Sequence, residues 1–136
     1  VYSMPVFTDT EHMYKILGEL FNKLLEDEVV SQKFNDDDIN VKFAINDPDG
    51  EIWLLHGEEK PELVLGESDA EPTVTMWLAG DDCHNFWLQK LKLPVALAKR
   101  KVKAKGPMTK ILGMLPLLKP AYEAYPAICE ENGLPT

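Results

Sequence analysis

The apolar residues of this chain change period twice, and that switch limits the fold more than any other feature. Met13, Ile16, Leu17, Leu20, Phe21, Leu24 and Leu25 lie three and one apart, a continuous stripe on one helical face. Thr8 and Glu11 have capping-box spacing just ahead of it, so the pattern predicts a helix over 9–27. From Val41 the period falls to two: Val41, Phe43 and Ile45 alternate with Lys42 and Ala44, as in a half-buried strand. Helical spacing returns with Met108, Ile111, Leu112, Leu115 and Leu118, where Pro116 and Pro120 limit how long the helix stays straight.

Turn residues divide the stretch between the helices. Asn46-Asp47-Pro48-Asp49-Gly50 reads as a hairpin turn, with Pro48 presetting φ and Gly50 free to take a positive φ. Ile52–Leu55, Leu63–Leu65 and the β-branched, aromatic run Thr73–Leu78 follow as strands, so the middle of the chain reads as a four-strand antiparallel meander. Asp81 or Asp82 suits an N-cap for a short helix holding Phe86, Trp87 and Leu91. Pro94 suits the first turn of another, with Val95, Leu97 and Ala98 as its apolar members. In the fifth strand Val102 and Ala104 point one way and Lys101, Lys103 and Lys105 point to water. With no internal repeat and no long linker, the 136 residues read as one domain, with a core of about 8–120 and a helical extension over 121–136.

Charge narrows the partners. The net charge is −9, which argues against nucleic acid, because phosphate contacts need a basic footprint. The average hides an asymmetry. Residues 1–82 hold 20 acids and 5 bases, residues 83–122 hold 9 bases and no acid, and the last 14 residues add three acids. Either the bases are an ordinary solvated face, or they form one positive face that meets an anionic surface. No apolar run approaches the ~20 residues that span a bilayer. No basic-then-apolar leader precedes residue 8, and a cytoplasmic location is the expectation.

Motifs for chemistry are missing. Cys83 and Cys129 lack metal-ligand or redox spacing and read as small buried hydrophobes. His12, His56 and His84 share no metal-ligand spacing. His84 follows Cys83, but adjacent helical side chains diverge, which disfavours a Cys–His nucleophile pair. Asp47–Glu51 looks faintly like a calcium loop. With Gly50 at its sixth position, however, the first and twelfth fall on Ile45 and His56, where carboxylates are required. There is no phosphate loop, nucleophile elbow or dinucleotide fingerprint. The expectation is therefore no enzyme, no catalytic residue, no metal and no cofactor. What stands out is the density of Leu, Met and aromatic residues from Phe86 to Leu118, the composition of adaptable apolar pockets.

The order helix, four strands, two short helices, strand, helix resembles the sterol carrier, or non-specific lipid-transfer, domain family. The likeness is carried by Thr73-Val74-Thr75-Met76, the acidic helix start at Asp81-Asp82, the Leu93-Pro94 step and the strand Lys101–Lys105 closed by Gly106. The hairpin at Asp49-Gly50, with Trp53 after it, and Met108 with its amphipathic helix complete it over residues 8–120. The family usually has Gly just before the lysine-rich strand, where this chain has Arg100. The resemblance implies an α/β (α+β) fold, a five-stranded, mainly antiparallel sheet covered on one face by helices and enclosing an apolar tunnel. It also implies a non-enzymatic protein that binds, and can transfer between membranes, fatty acids, acyl-CoA, sterols or phospholipids. Phe43, Ile45, Val74 and Met76 then form the sheet-side wall, and Phe86, Leu97, Met108, Ile111, Leu112 and Leu115 the helical wall. Lys101, Lys103 and Lys105 would touch an anionic membrane. The competing expectations are an accessory or dimerisation domain without ligand, and an enzyme using the internal cavity.

Overall fold

A computed structural model describes residues 5–136; Val1 to Met4, where a leader or trimmed start would be sought, lie outside the described residues. Helix α1 (Thr10–Glu26) is capped by Asp9, whose carboxylate accepts the N–H of His12 at 2.7 Å. The cap is therefore one residue later than the Thr8–Glu11 spacing suggests. Its apolar stripe is fully buried, from Met13 to Leu24.

A helix absent from the sequence reading follows. Asp27 ends α1 and caps α2 (Glu28–Asp36), accepting the Val30 N–H at 3.1 Å. Only Val30 and Phe34 of α2 are buried, too thin a stripe to stand out from its polar neighbours.

Strands β1 (Val41–Asn46), β2 (Gly50–Leu55), β3 (Glu62–Leu65), β4 (Val74–Ala79) and β5 (Val102–Lys105) form one sheet in the order β3-β2-β1-β4-β5. Three of its four pairings are antiparallel, but β4 runs parallel to β1. This corrects the simple meander: after β3 the chain crosses back and places β4 on the free side of β1. Asn40 anchors that return. Its carbonyl accepts the N–H groups of Thr73 and Val74 at 2.8 and 3.1 Å, and its own N–H donates to Thr73 Oγ1 at 3.0 Å. Its side-chain amide donates to the Glu71 carbonyl and accepts the His56 N–H, both at 3.0 Å. One side chain thus ties the β4 approach to the end of β2.

Two expectations about glycine and capping also change. The β1–β2 turn contains a cis Asp47–Pro48 bond, and the positive φ, 52°, falls on Asp47. Gly50 already belongs to β2, and a Cβ there would come within 2.7 Å of Met13 and 3.0 Å of Tyr14, so its role is close packing against α1. Asp81 and Asp82 sit in the first turn of α3 (Gly80–Trp87), not at its cap, which is Ala79. Asp81 instead accepts the Val6 N–H at 2.9 Å.

Pro94 opens α4 (Leu93–Ala98), whose buried members are Leu93 and Ala96. Val95 and Ala98 face solvent, and Leu97 is half-buried. Arg100 has φ 60°, in the left-handed region that glycine favours, at the position where the resembled family has Gly. Past β5, α5 (Met108–Met114) gives way to a 3-10 helix (Leu115–Leu118) and then α6 (Lys119–Glu131), with Pro116 and Pro120 in the first turns of the last two. The core lies between α1 and the inner face of the sheet, where Phe21 stacks on Phe43 at 5.3 Å. Helix α6 packs against α1 through Ala121, Tyr125, Ile128 and Cys129.

Candidate functional site

Strand alternation builds one wall of the site. Val41 and Phe43 of β1 pair with Val74 and Met76 of β4, and all four point to the helix side. Leu54 of β2 extends the wall. Opposite them stand Phe34 of α2, Phe86 and Trp87 of α3, Leu93 of α4, and Ile111, Met114, Leu115 and Leu118 from α5 and the 3-10 helix. Between these walls lies a largely enclosed cavity of about 30 Å³, lined by apolar side chains alone. A space of that volume admits about one water molecule, yet it offers water no partner.

Six of the ten residues expected at the lining are found there: Phe43, Val74, Met76, Phe86, Ile111 and Leu115. Ile45 shares their face but sits further along β1, beside Tyr14 and Asp49. Leu97 lies outside, in a groove with Trp77, Arg100, Lys103 and Lys105. Met108 and Leu112 are 49% and 46% exposed, on the outer side of α5. The helical period holds, but the apolar stripe is too wide for one face: Ile111 alone of α5 is buried. The lining also includes Phe34, Val41 and Leu54, and Trp87, Leu93, Met114 and Leu118 from the apolar stretch Phe86–Leu118. The parity of Val41 and Leu54 in their strands was the available signal for those two; nothing local marked Phe34.

Outside the cavity, Lys101, Lys103 and Lys105 are all exposed. Among the described residues none of them has a carboxylate within ion-pair distance. Lys103 is directly opposite Trp77, which is 42% exposed on the uncovered face of the sheet. Trp53, on the same face, is instead covered by Lys42, whose Nζ lies 5.3 Å from its ring centre, and donates to Glu51 at 3.2 Å.

The buried polar groups form a structural cluster. His84 is 2% exposed. Its Nε2 lies 2.9 Å from the Pro135 carbonyl, which can only accept, so Nε2 carries the proton and Nδ1 accepts from the Tyr125 hydroxyl at 2.7 Å. Cys129 Sγ lies 4.0 Å from the same Nδ1. Burial holds the imidazole below its usual value and raises Tyr125 and Cys129, while it pushes the Cys83 thiol up to about 12. A thiol that is neutral at pH 7 is a poor nucleophile. Among the described residues no group of three or more His, Cys, Asp or Glu is placed to hold a metal, and no helix is long and apolar enough to cross a membrane.

This cluster sets a pH dependence. Burial holds the folded His84 below the unfolded histidine value of ~6.5. Below that value the unfolded chain binds more protons, so stability falls as pH falls, by up to about 1.4 kcal/mol per pH unit. The contribution is complete above the unfolded value. Urea unfolding of wild type and His84→Gln from pH 7.5 down to 5 is expected to show the wild type losing the larger amount. Equal pH slopes in the two proteins would remove His84 as the cause.

The comparisons with known proteins agree with this geometry. A family model described as the SCP-2 sterol transfer family matches residues 21–119. The fold is similar to the apo form of sterol carrier protein 2 from Yarrowia lipolytica, with a TM-score of 0.64 and 15% identity over 88% of this chain and 96% of that one. It is similar to sterol carrier protein domain 2 of Helicoverpa armigera, with a TM-score of 0.62 and 18% identity over 80% and 89% of the two chains. It also matches part of the stereoselective inverting sec-alkylsulfatase Pisa1 from Pseudomonas sp., with a TM-score of 0.54 and 22% identity over 63% of this chain, which spans only 14% of that enzyme. No curated protein sequence matches the chain.

Proposed function

The chain belongs to the SCP-2 sterol transfer family, and on that premise we propose that it is a non-enzymatic carrier that encloses one long apolar chain, such as that of a fatty acid, between its sheet and its helices. The observation that carries this reading is the cavity whose lining is wholly apolar and drawn from both layers. Its volume, about 30 Å³, is an order of magnitude below the ~300–1,000 Å³ of ligand sites, so loading requires a wall to move. The wall best suited to move is α5 with its 3-10 helix, which together bury only Ile111 and Leu118. In the loaded state the tunnel would be lined by Phe43, Val74, Met76, Phe86, Ile111 and Leu115. As α5 shifts, its outer residues Met108 and Leu112 would meet lipid.

Lys101, Lys103 and Lys105 would supply transient contact with an anionic membrane, at about 1 kcal/mol for each surface base. Exposed Trp77 beside Lys103 suits the same interface, and a net charge of −9 favours release. A second reading, an accessory domain that carries no ligand, is favoured by the small closed cavity and by the occurrence of this fold as a minor part of an alkylsulfatase.

Uptake from vesicles distinguishes the two. Protein mixed with anionic vesicles holding a fluorescent fatty acid is expected to extract about one molecule per chain. The uptake rate should fall as salt rises, and fall again when Lys101, Lys103 and Lys105 become Gln. Absence of uptake at any salt would leave the accessory reading; uptake at a rate indifferent to salt and vesicle charge would remove the membrane role of the lysines.

A further inference from the structure

A second concavity abuts the apolar cavity, and the two share Phe86, Leu93 and Leu115. It holds about 160 Å³ and is completed on its outer side by Gln89, Lys92 and Tyr122 with Leu91 and Pro94. The inner space is apolar throughout; the outer one has among its lining residues Gln89, Lys92 and Tyr122, which carry an amide, an ammonium and a phenol hydroxyl. We propose that this outer concavity is the mouth of the binding site and seats an anionic oxygen head group, a carboxylate in the first instance, against Lys92, with Gln89 and Tyr122 as neutral donors. The inference rests on the acyl-chain reading above and deepens it by naming the charge and the position of the ligand's polar end.

The two spaces have Phe86, Leu93 and Leu115 in common. Phe86 comes from α3, Leu93 from the start of α4 and Leu115 from the junction of α5 with the 3-10 helix. Phe86 stands edge-on to both Trp87, at 4.9 Å, and Tyr122, at 5.8 Å. A shift of α5 that withdraws Leu115, with a turn of Phe86, joins the two spaces without breaking a strand or a helix.

The mouth is electrostatically one-sided. No acid occurs from residue 83 to residue 122, and Lys92 is exposed with no carboxylate within ion-pair distance among the described residues. Glu123, next to Tyr122, is paired with Lys119 at 3.8 Å. The rim is held in shape by its own turn. Gln89 has φ 64°, and the N–H groups of Lys90 and Leu91 both donate to the Asn85 carbonyl, at 2.9 and 3.3 Å. Those two N–H groups are occupied by the turn itself, and the head group is assigned to the side chains of the rim. A buried tail and a fixed cation at the entrance select an anionic amphiphile over a neutral one of equal length.

The test compares palmitate with its methyl ester, which keeps the tail and loses the charge. Dissociation constants are measured for wild type, Lys92→Gln and Lys110→Gln; Lys110 lies away from the mouth, beside Lys33 and Asp37. Lys92→Gln should weaken palmitate by about three- to tenfold, the range for an exposed charge-assisted contact, and leave the ester unchanged. Lys110→Gln should change neither. Unaltered palmitate binding in Lys92→Gln, an equal loss for acid and ester, or the same effect from Lys110→Gln would overturn the assignment of the mouth. A wild type that binds neither ligand defeats the acyl-chain reading itself, and the mouth with it.

Discussion

Replacing Trp87 by alanine is expected to lower the unfolding free energy by about 3–5 kcal/mol, the cost of deleting a large buried aromatic. Trp87 is among the largest fully buried side chains of the fold. Its ring meets Phe21 edge-on at 5.5 Å, Phe86 at 4.9 Å and Tyr122 at 5.8 Å, which links α1, α3 and α6 through one side chain. It also lines the apolar cavity, so its removal enlarges a space that neighbouring side chains already fail to fill. Trp87→Phe should cost much less. Among the described residues the indole Nε1 is buried without a hydrogen-bond partner, and phenylalanine removes that donor along with part of the ring. With a urea slope of ~1–3 kcal/mol per molar, the alanine variant should unfold at a midpoint lower by about 1 M or more. Coincident wild-type and W87A curves would show that the ring does not hold the helical layer together. A long-chain ligand should restore part of the loss in W87A, because ligand that binds only the folded chain adds stability by mass action.

Except for α2, the elements are legible in the sequence while their arrangement is not, for physical reasons that differ by residue. Period-two alternation gave the inner face of β1 and β4 correctly, because the pleat dictates it: Phe43, Val74 and Met76 had no other side to occupy. The same alternation says nothing about which strands are neighbours. The parallel β1–β4 pairing is anchored by Asn40 catching Thr73, 33 positions along the chain, and Val74 beside it, a contact that no local pattern encodes. Helix α5 fails in another way. Its apolar residues keep helical spacing, but a short helix at the edge of the sheet buries one side only, so Met108 and Leu112 are left outside while Ile111 goes in. The resemblance puts Leu97 in the helical wall; in the structure α4 instead buries Leu93 and Ala96. Pro94, Pro116 and Pro120 marked their boundaries well, since proline acts through its own ring and not through distant partners. His84 was weighed as a partner of the adjacent Cys83. Its actual partners, Tyr125 and Pro135, are 41 and 51 residues away.

If an apolar chain is what the interior recognises, affinity must depend on the length of that chain. Each buried CH₂ contributes about 0.8 kcal/mol, so two more carbons should tighten binding by about fifteenfold. The cost of widening a cavity of about 30 Å³ is met once per ligand and displaces the whole series without changing its slope. The measurement is displacement of a fluorescent fatty acid by saturated acids of increasing length, each kept below the concentration at which it forms micelles. Dissociation constants should fall steeply with every added pair of carbons, until the chain outgrows the space between sheet and helices. Constants that do not change with chain length would contradict recognition of the chain by the interior.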